Sequence, residues 1–200
     1  MTDKAERESE GNMGEIRVGK PGDLCVLLAP DQLERLDLRS KQLSLIDTFG
    51  GWIVPEPHIT CQRFCLSPGG SLGSVIDAVK RSLTHMPPFQ VYASGLTEFL
   101  SPFWGTYVLR WQIQEDKAWK NFISRLDHAL KLAGCEIHYL HDYPKTCGAV
   151  ELTQEVDLRV DPNVEFPQPL FVAQKFMITG ILGTDDFETL SEMTLFGGQE

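Results

Sequence analysis

An α+β fold of two lobes, each running strand, helix, strand with its helices on the outside, is predicted by three observations. Short apolar runs bounded by turn residues alternate along the chain with longer segments of helical period. The same order of elements recurs in the second half, as duplication of a βαβ-type unit would produce, although the halves show no matching sequence. Finally, 200 residues with 42% apolar and 10% aromatic side chains fit one domain with a substantial core.

Residues 1–20 carry Asp3, Glu6, Glu8, Glu10 and Glu15 with few large apolar side chains, and read as a flexible acidic tail ahead of a single domain over 21–200. In that domain, Leu24 to Ala29 is a continuous apolar run ending at Pro30, the pattern of a strand buried on both faces. A helix follows, with Asp31 as N-cap, Glu34 completing a capping box, Leu33, Leu36, Leu43 and Ile46 as the apolar stripe, and Gly50-Gly51 as the stop. The next strand, if regular, places His58, Thr60, Gln62 and Phe64 on one face and Ile59, Cys61, Arg63 and Cys65 on the other.

After the turn Ser67-Pro68-Gly69-Gly70-Ser71, the spacing of Val75, Ile76, Val79 and Leu83 predicts a second helix, closed by Pro87-Pro88. Two β-rich runs, Phe89 to Leu96 and Thr106 to Ile113, are separated by Ser101-Pro102. A third helix is carried by Trp119, Phe122, Ile123, Leu126, Leu130 and Leu132 and ends at Gly134. Strands at 147–152, 170–182 and 187–196 complete the set.

Charge narrows the function classes. A net charge of −10, from 28 acidic against 18 basic residues with no basic block, excludes long duplex nucleic acid as the main ligand. A small nucleotide or a strand end remains compatible, because a local pocket can be positive inside an acidic molecule. No run approaches the roughly 18 apolar residues of a membrane span, and no apolar signal stretch opens the chain. A cytoplasmic monomer is therefore expected, and five scattered cysteines read as reduced thiols filling the core.

The motif that points to chemistry is His58-Ile59-Thr60. Residues two apart on a strand face the same way, so one imidazole and one hydroxyl address one ligand. The ring moves a proton near neutral pH, and the hydroxyl donates to a non-bridging phosphate oxygen.

Two lobes of this kind, with Pro57-His58-Ile59-Thr60, Pro88-Phe89 leading into Ser94-Gly95-Leu96 and Phe99, the Trp111 strand and helix, and the closing Phe171-Val172 strand, resemble the 2H phosphoesterase superfamily. That superfamily includes the bacterial 2′-5′ RNA ligase-like proteins and the 2′,3′-cyclic nucleotide phosphodiesterases. The resemblance spans about residues 22–196 and implies a central cleft between the lobes, with one H-x-T motif from each. The second motif is altered here: Lys145-Thr146-Cys147 aligns with it, placing Lys145 at the histidine position and Cys147 at the threonine position. His138 and His141 lie nearby but lack a Thr or Ser two residues on, so either one reaches the cleft only with a different loop or register.

In the family one histidine activates water and the other protonates the departing ribose oxygen. The resemblance thus implies His58 as acid or base and Thr60 as phosphate ligand, with Lys145 as an electrostatic clamp and Cys147 beside it as the substrate-binding remainder. A lysine, with an ordinary pKa of about 10.4, stays protonated at neutral pH and does not replace an imidazole base. The leading expectation is hydrolysis of a 2′,3′-cyclic phosphate on a small nucleotide or RNA terminus, with reduced or altered activity and no metal or other cofactor. The alternatives are a catalytically lapsed nucleotide- or RNA-end-binding module and an interaction protein with a vestigial cleft. Cys135-x2-His138-x2-His141-x5-Cys147 offers four zinc-type ligands but follows no zinc spacing, and is read as structural. Arg63, Tyr92 and Arg110 are further residues that a strand could turn toward the cleft.

Overall fold

The computed structural model of the chain describes residues 22–101, 105–138, 144–159, 164–183 and 186–197. The acidic tail and His141 lie outside the described residues. Among the described residues, ten strands and three helices follow in the order β1 (Leu24–Leu28), α1 (Gln32–Phe49), β2 (Trp52–Ile53), β3 (Ile59–Leu66), α2 (Leu72–Leu83), β4 (Phe89–Leu100), β5 (Tyr107–Ile113), α3 (Lys117–Leu132), β6 (Cys135–Ile137), β7 (Thr146–Leu152), β8 (Gln168–Ala173), β9 (Lys175–Gly183) and β10 (Asp186–Thr194). They form one curled antiparallel sheet, ordered β10-β9-β1-β3-β7-β5-β4-β8, with β2 beside β7 and β6 beside β3. The two predicted lobes are the two halves of this sheet, meeting at the seam between β3 and β7. No helix among the described residues is long and apolar enough to cross a membrane.

Local signals explain most boundaries. Asp31 accepts from the Leu33 and Glu34 amides, each at 2.9 Å, while the Glu34 carboxylate accepts from the Asp31 amide at 3.1 Å, the reciprocal box expected for α1. Gly50, at φ 76°, closes the helix. Asp116 caps α3 by accepting from Trp119 N at 2.8 Å, and Gly134 follows its end at φ 74°. The strand expected over 170–182 is two strands, and β2 and β6 are too short to be seen in a hydrophobic pattern.

The buried face of α1 is not the stripe its leucines suggest. Leu33, Leu36 and Leu43 are exposed, whereas Leu38, Gln42 and Leu45 are buried. Gln42 explains the shift: its side-chain amide donates to Val54 O at 2.9 Å and to Ala149 O at 2.8 Å, satisfying carbonyls where the sheet is irregular. A buried polar group with both bonds made costs little, and α1 turns to make them.

The core unites the helix-side residues of the whole sheet, including Val26, Leu28, Ile59, Phe64, Trp111, Cys147 and Phe176, with Leu38 and Leu45 of α1 and Phe122 and Leu126 of α3. Phe122 stacks against Phe89 at 5.6 Å and Phe176 at 6.1 Å, tying α3 to both halves of the sheet. A smaller cluster on the opposite face holds Cys25, Leu27 and Ile181, with Met177 and Phe187 packed against it.

Gly51 is the most constrained backbone position. Its φ is 91°, and a Cβ there would run into the Glu151 carbonyl oxygen and approach a Val150 methyl at 3.0 Å. Gly51→Ala is accordingly expected to lower stability by about 2–4 kcal/mol, combining left-handed strain with backbone displacement, as read from urea midpoints.

Candidate functional site

The face that carries the candidate chemistry follows from register. Along β1 and β3, Leu24 pairs with Phe64, Cys25 with Arg63 and Val26 with Gln62, but Leu27 pairs with Thr60 and Leu28 with Ile59. Cys61 is therefore an extra residue, a bulge that shifts the alternation of β3 by one. Before it, Ile59 faces the helices and Thr60 the opposite, helix-free face. After it, Gln62 and Phe64 face the helices, and Arg63 and Cys65 join Thr60. The expected sharing of one face by His58, Thr60, Gln62 and Phe64 holds only for the first pair.

His58 precedes β3 and is half-buried. Its ring packs edge-on against Phe187, with centroids 5.4 Å apart and planes at 75°, which fixes it on the helix-free face with Thr60. Nδ1 lies 3.0 Å from the Glu56 carbonyl. A carbonyl only accepts, so Nδ1 carries the hydrogen and Nε2 is the basic nitrogen.

The second half of the expected site is arranged differently. Ile59 pairs with Cys147, and both are fully buried in the helix-side core. Cys147 therefore faces away from Thr60, as does Lys145 two residues earlier. Burial pushes the Cys147 thiol up to about 12, so it is neutral and inert. Lys145 is 5% exposed and lies under α3, in a groove of about 450 Å³ that Glu115, Trp119 and Asp127 also line. Burial lowers its pKa to about 8 against the opposing influence of Cys61, Asp127 and Glu115. Asp127 also accepts from Gln62 Nε2, so the lysine belongs to a polar cluster that ties α3 to the sheet. The structure does not bring Lys145 or Cys147 to His58 and Thr60. The physical reason is parity, since the outer residues of Lys145-Thr146-Cys147 fall on the core side and only the middle one on the helix-free side.

Thr146 is thus the residue of that triplet that faces with Thr60, and the antiparallel register sets the two side by side across the seam. Next to it stands Arg110 of β5, whose Nη1 donates to Thr146 Oγ1 at 3.5 Å and whose guanidinium lies 4.7 Å over the Phe99 ring. In β7 the partners of Leu109 and Arg110 are Val150 and Gly148, so Ala149 is a second bulge, the counterpart of Cys61. Aligning the halves on these bulges puts Thr146 at the position of His58 and Gly148 at that of Thr60. The second lobe keeps a hydroxyl and a nearby guanidinium where the first has an imidazole. Sequence reasoning put Arg63 on the face opposite His58 and Thr60, which the bulge at Cys61 reverses; it named Arg110 without a face and missed Thr146. His138 lies beyond β6, its amide donating to Arg63 O at 2.8 Å.

The helix-free face therefore combines a proton-transfer group, two seam hydroxyls and two guanidinium groups from separate strands. Such a set suits an oxyanion with several oxygens, above all a phosphate.

No protein-family model and no curated protein matches the sequence. Solved structures do match. TT0787 of Thermus thermophilus is 17% identical, with 88% of this chain and 98% of that one aligned at a TM-score of 0.61. E. coli LigT complexed with 3′-AMP is 13% identical over 88% and 99% of the two chains, with a TM-score of 0.57. The MHV ns2 PDE domain is 10% identical over 80% and 99%, with a TM-score of 0.51. At these identities the likeness is one of fold.

Proposed function

We propose, from this LigT-like 2H phosphoesterase fold, that the chain takes a small nucleotide or an RNA terminus on its helix-free face and opens 2′,3′-cyclic phosphates or related phosphodiesters. The carrying observation is that His58 and Thr60 share that face with Thr146 and Arg110 across the seam. LigT supports the ligand class, because its structures hold 3′-AMP, ATP, NADP+ and phosphate. In this reading Nε2 of His58 takes a proton from the attacking water as its oxygen bonds to phosphorus, the bond from phosphorus to one ribose oxygen breaks, and solvent water protonates the oxygen released. Thr60 and Thr146 hold non-bridging oxygens, and the cation assigned to Lys145 by alignment is supplied by Arg110. The protein works as a cytoplasmic monomer without a metal in the reaction.

A second reading, a catalytically lapsed nucleotide- or RNA-end-binding module, is favoured by a specific observation: Thr146 and Gly148 stand where the first lobe has His58 and Thr60. A guanidinium strengthens phosphate binding in the ground state, which by itself does not accelerate chemistry. The deciding experiment incubates the purified protein with 2′,3′-cyclic nucleotides and cyclic-phosphate RNA ends, comparing wild type with His58→Ala. Product in wild type alone supports hydrolysis, saturable binding without product supports the module, and neither binding nor product overturns both. Arg110→Gln is expected to weaken phosphate-ligand binding by about 10- to 100-fold, the worth of one charge-assisted contact, with Arg110→Lys in between. Unchanged affinity in Arg110→Gln would remove Arg110 from the site.

A further inference from the structure

We propose that Cys65, Glu136 and His138 form a binding site for a divalent transition-metal ion of the zinc type, separate from the phosphate chemistry assigned to His58. The register assembles it. Cys65 of β3 and Glu136 of β6 are direct cross-strand partners, and His138 lies two residues beyond Glu136, so the three side chains share one face. That face is the one Cys65 reaches only because of the bulge at Cys61.

The donor spacing is close to what a metal demands. Cys65 Sγ lies 3.8 Å from Glu136 Oε2, His138 Nδ1 lies 3.6 Å from Glu136 Oε1, and one ligand atom from each residue falls within 4.8 Å of the others. A tetrahedral ion with bonds of about 2.0–2.3 Å holds neighbouring donors roughly 3.3–3.8 Å apart. Small side-chain rotations therefore complete the triad without moving backbone. A thiolate, an imidazole and a single carboxylate select a borderline-soft ion, since Mg²⁺ and Ca²⁺ require several oxygen ligands. Three protein ligands leave a fourth position for water.

The pairing explains why the linear cysteine–histidine pattern is misleading. Of Cys135, His138, His141 and Cys147, only His138 belongs to the cluster among the described residues. Cys135 pairs with Leu66 and faces the other way, and Cys147 is sealed in the core. The remaining ligands are Glu136, in a strand of three residues, and Cys65, 71 residues upstream of Glu136.

Binding displaces the thiol proton to solvent as the sulfur–metal bond forms, so affinity rises with pH through the thiol range. The test titrates the chelator-stripped full chain with Co²⁺ and then displaces it with Zn²⁺. One equivalent of Co²⁺ with a thiolate-to-metal charge-transfer band is expected, lost on adding Zn²⁺ and unaffected by Mg²⁺. Cys65→Ser should abolish the band. Glu136→Gln, at an exposed position that folding tolerates, should weaken affinity by at least ~10-fold, and Cys135→Ser should leave the spectrum unchanged. Absence of the band in wild type, its persistence in Cys65→Ser, its loss in Cys135→Ser, or full affinity in Glu136→Gln would each overturn the assignment.

Discussion

His58→Ala is expected to lower the turnover of 2′,3′-cyclic nucleotides by ~10²- to 10⁴-fold, the usual worth of a positioned proton-transfer group. The variant should remain folded. His58 is half-buried, and its ring both hydrogen-bonds the Glu56 carbonyl and packs edge-on against Phe187, each worth about 1 kcal/mol. That is small beside the 5–15 kcal/mol typical of a domain, so activity and stability separate cleanly. Binding should weaken far less than turnover, since the proposed phosphate contacts of Thr60, Thr146 and Arg110 are left in place. A variant that hydrolyses at the wild-type rate would exclude His58 as the base, and one that loses binding and turnover equally would make it a simple ligand contact.

The second large effect is alkaline unfolding. Burial raises the Cys25 thiol from 9.0 to about 11 and those of Cys61 and Cys147 from 9.0 to about 12. Above pH 9 the unfolded chain therefore releases protons that the folded chain retains, and each such thiol lowers stability by about 1.4 kcal/mol per pH unit. Lys145 acts in the opposite sense. Burial depresses its pKa to about 8, so between there and 10.5 the unfolded state binds the extra proton and stability rises with pH. Together these predict a modest gain from pH 8 to 9, then a net loss of about 3 kcal/mol per pH unit up to about pH 11. Urea midpoints taken across this range test it. Cys147→Ala should flatten the net alkaline fall by about half, and Lys145→Met should erase the gain below pH 9. A stability that stays level from pH 9 to 11 would contradict the burial of the thiols.

Much of this architecture is legible in the sequence where one local signal decides. Asp31 with Glu34, Gly50 and Gly134 announce helix ends, and the unbroken apolar run at Leu24–Leu28 announces a strand buried on both faces. His58 and Thr60 are legible as a pair because no bulge separates them. What escapes depends on contacts distant in sequence. The burial of Gln42 is intelligible only once Val54 and Ala149 are beside it. Lys145 and Cys147 fit a motif by order, but the pairing of Cys147 with Ile59 decides which face they occupy. Cys65 and Glu136 meet through β6, which is too short for any periodicity to reveal.

The extra residue in β3 gives position 61 an influence out of proportion to its small side chain. Deleting Cys61 would leave Thr60 opposite Leu27 and Gln62 opposite Val26, so every side chain would keep its face in a strand that now alternates regularly. The opposite change is the damaging one: a strand that kept Cys61 but ran without the bulge would turn Arg63 and Cys65 into the core and Phe64 out to solvent. The bulge thus works as a phase corrector, and the strand downstream of it depends on the irregularity being kept whenever the extra residue is.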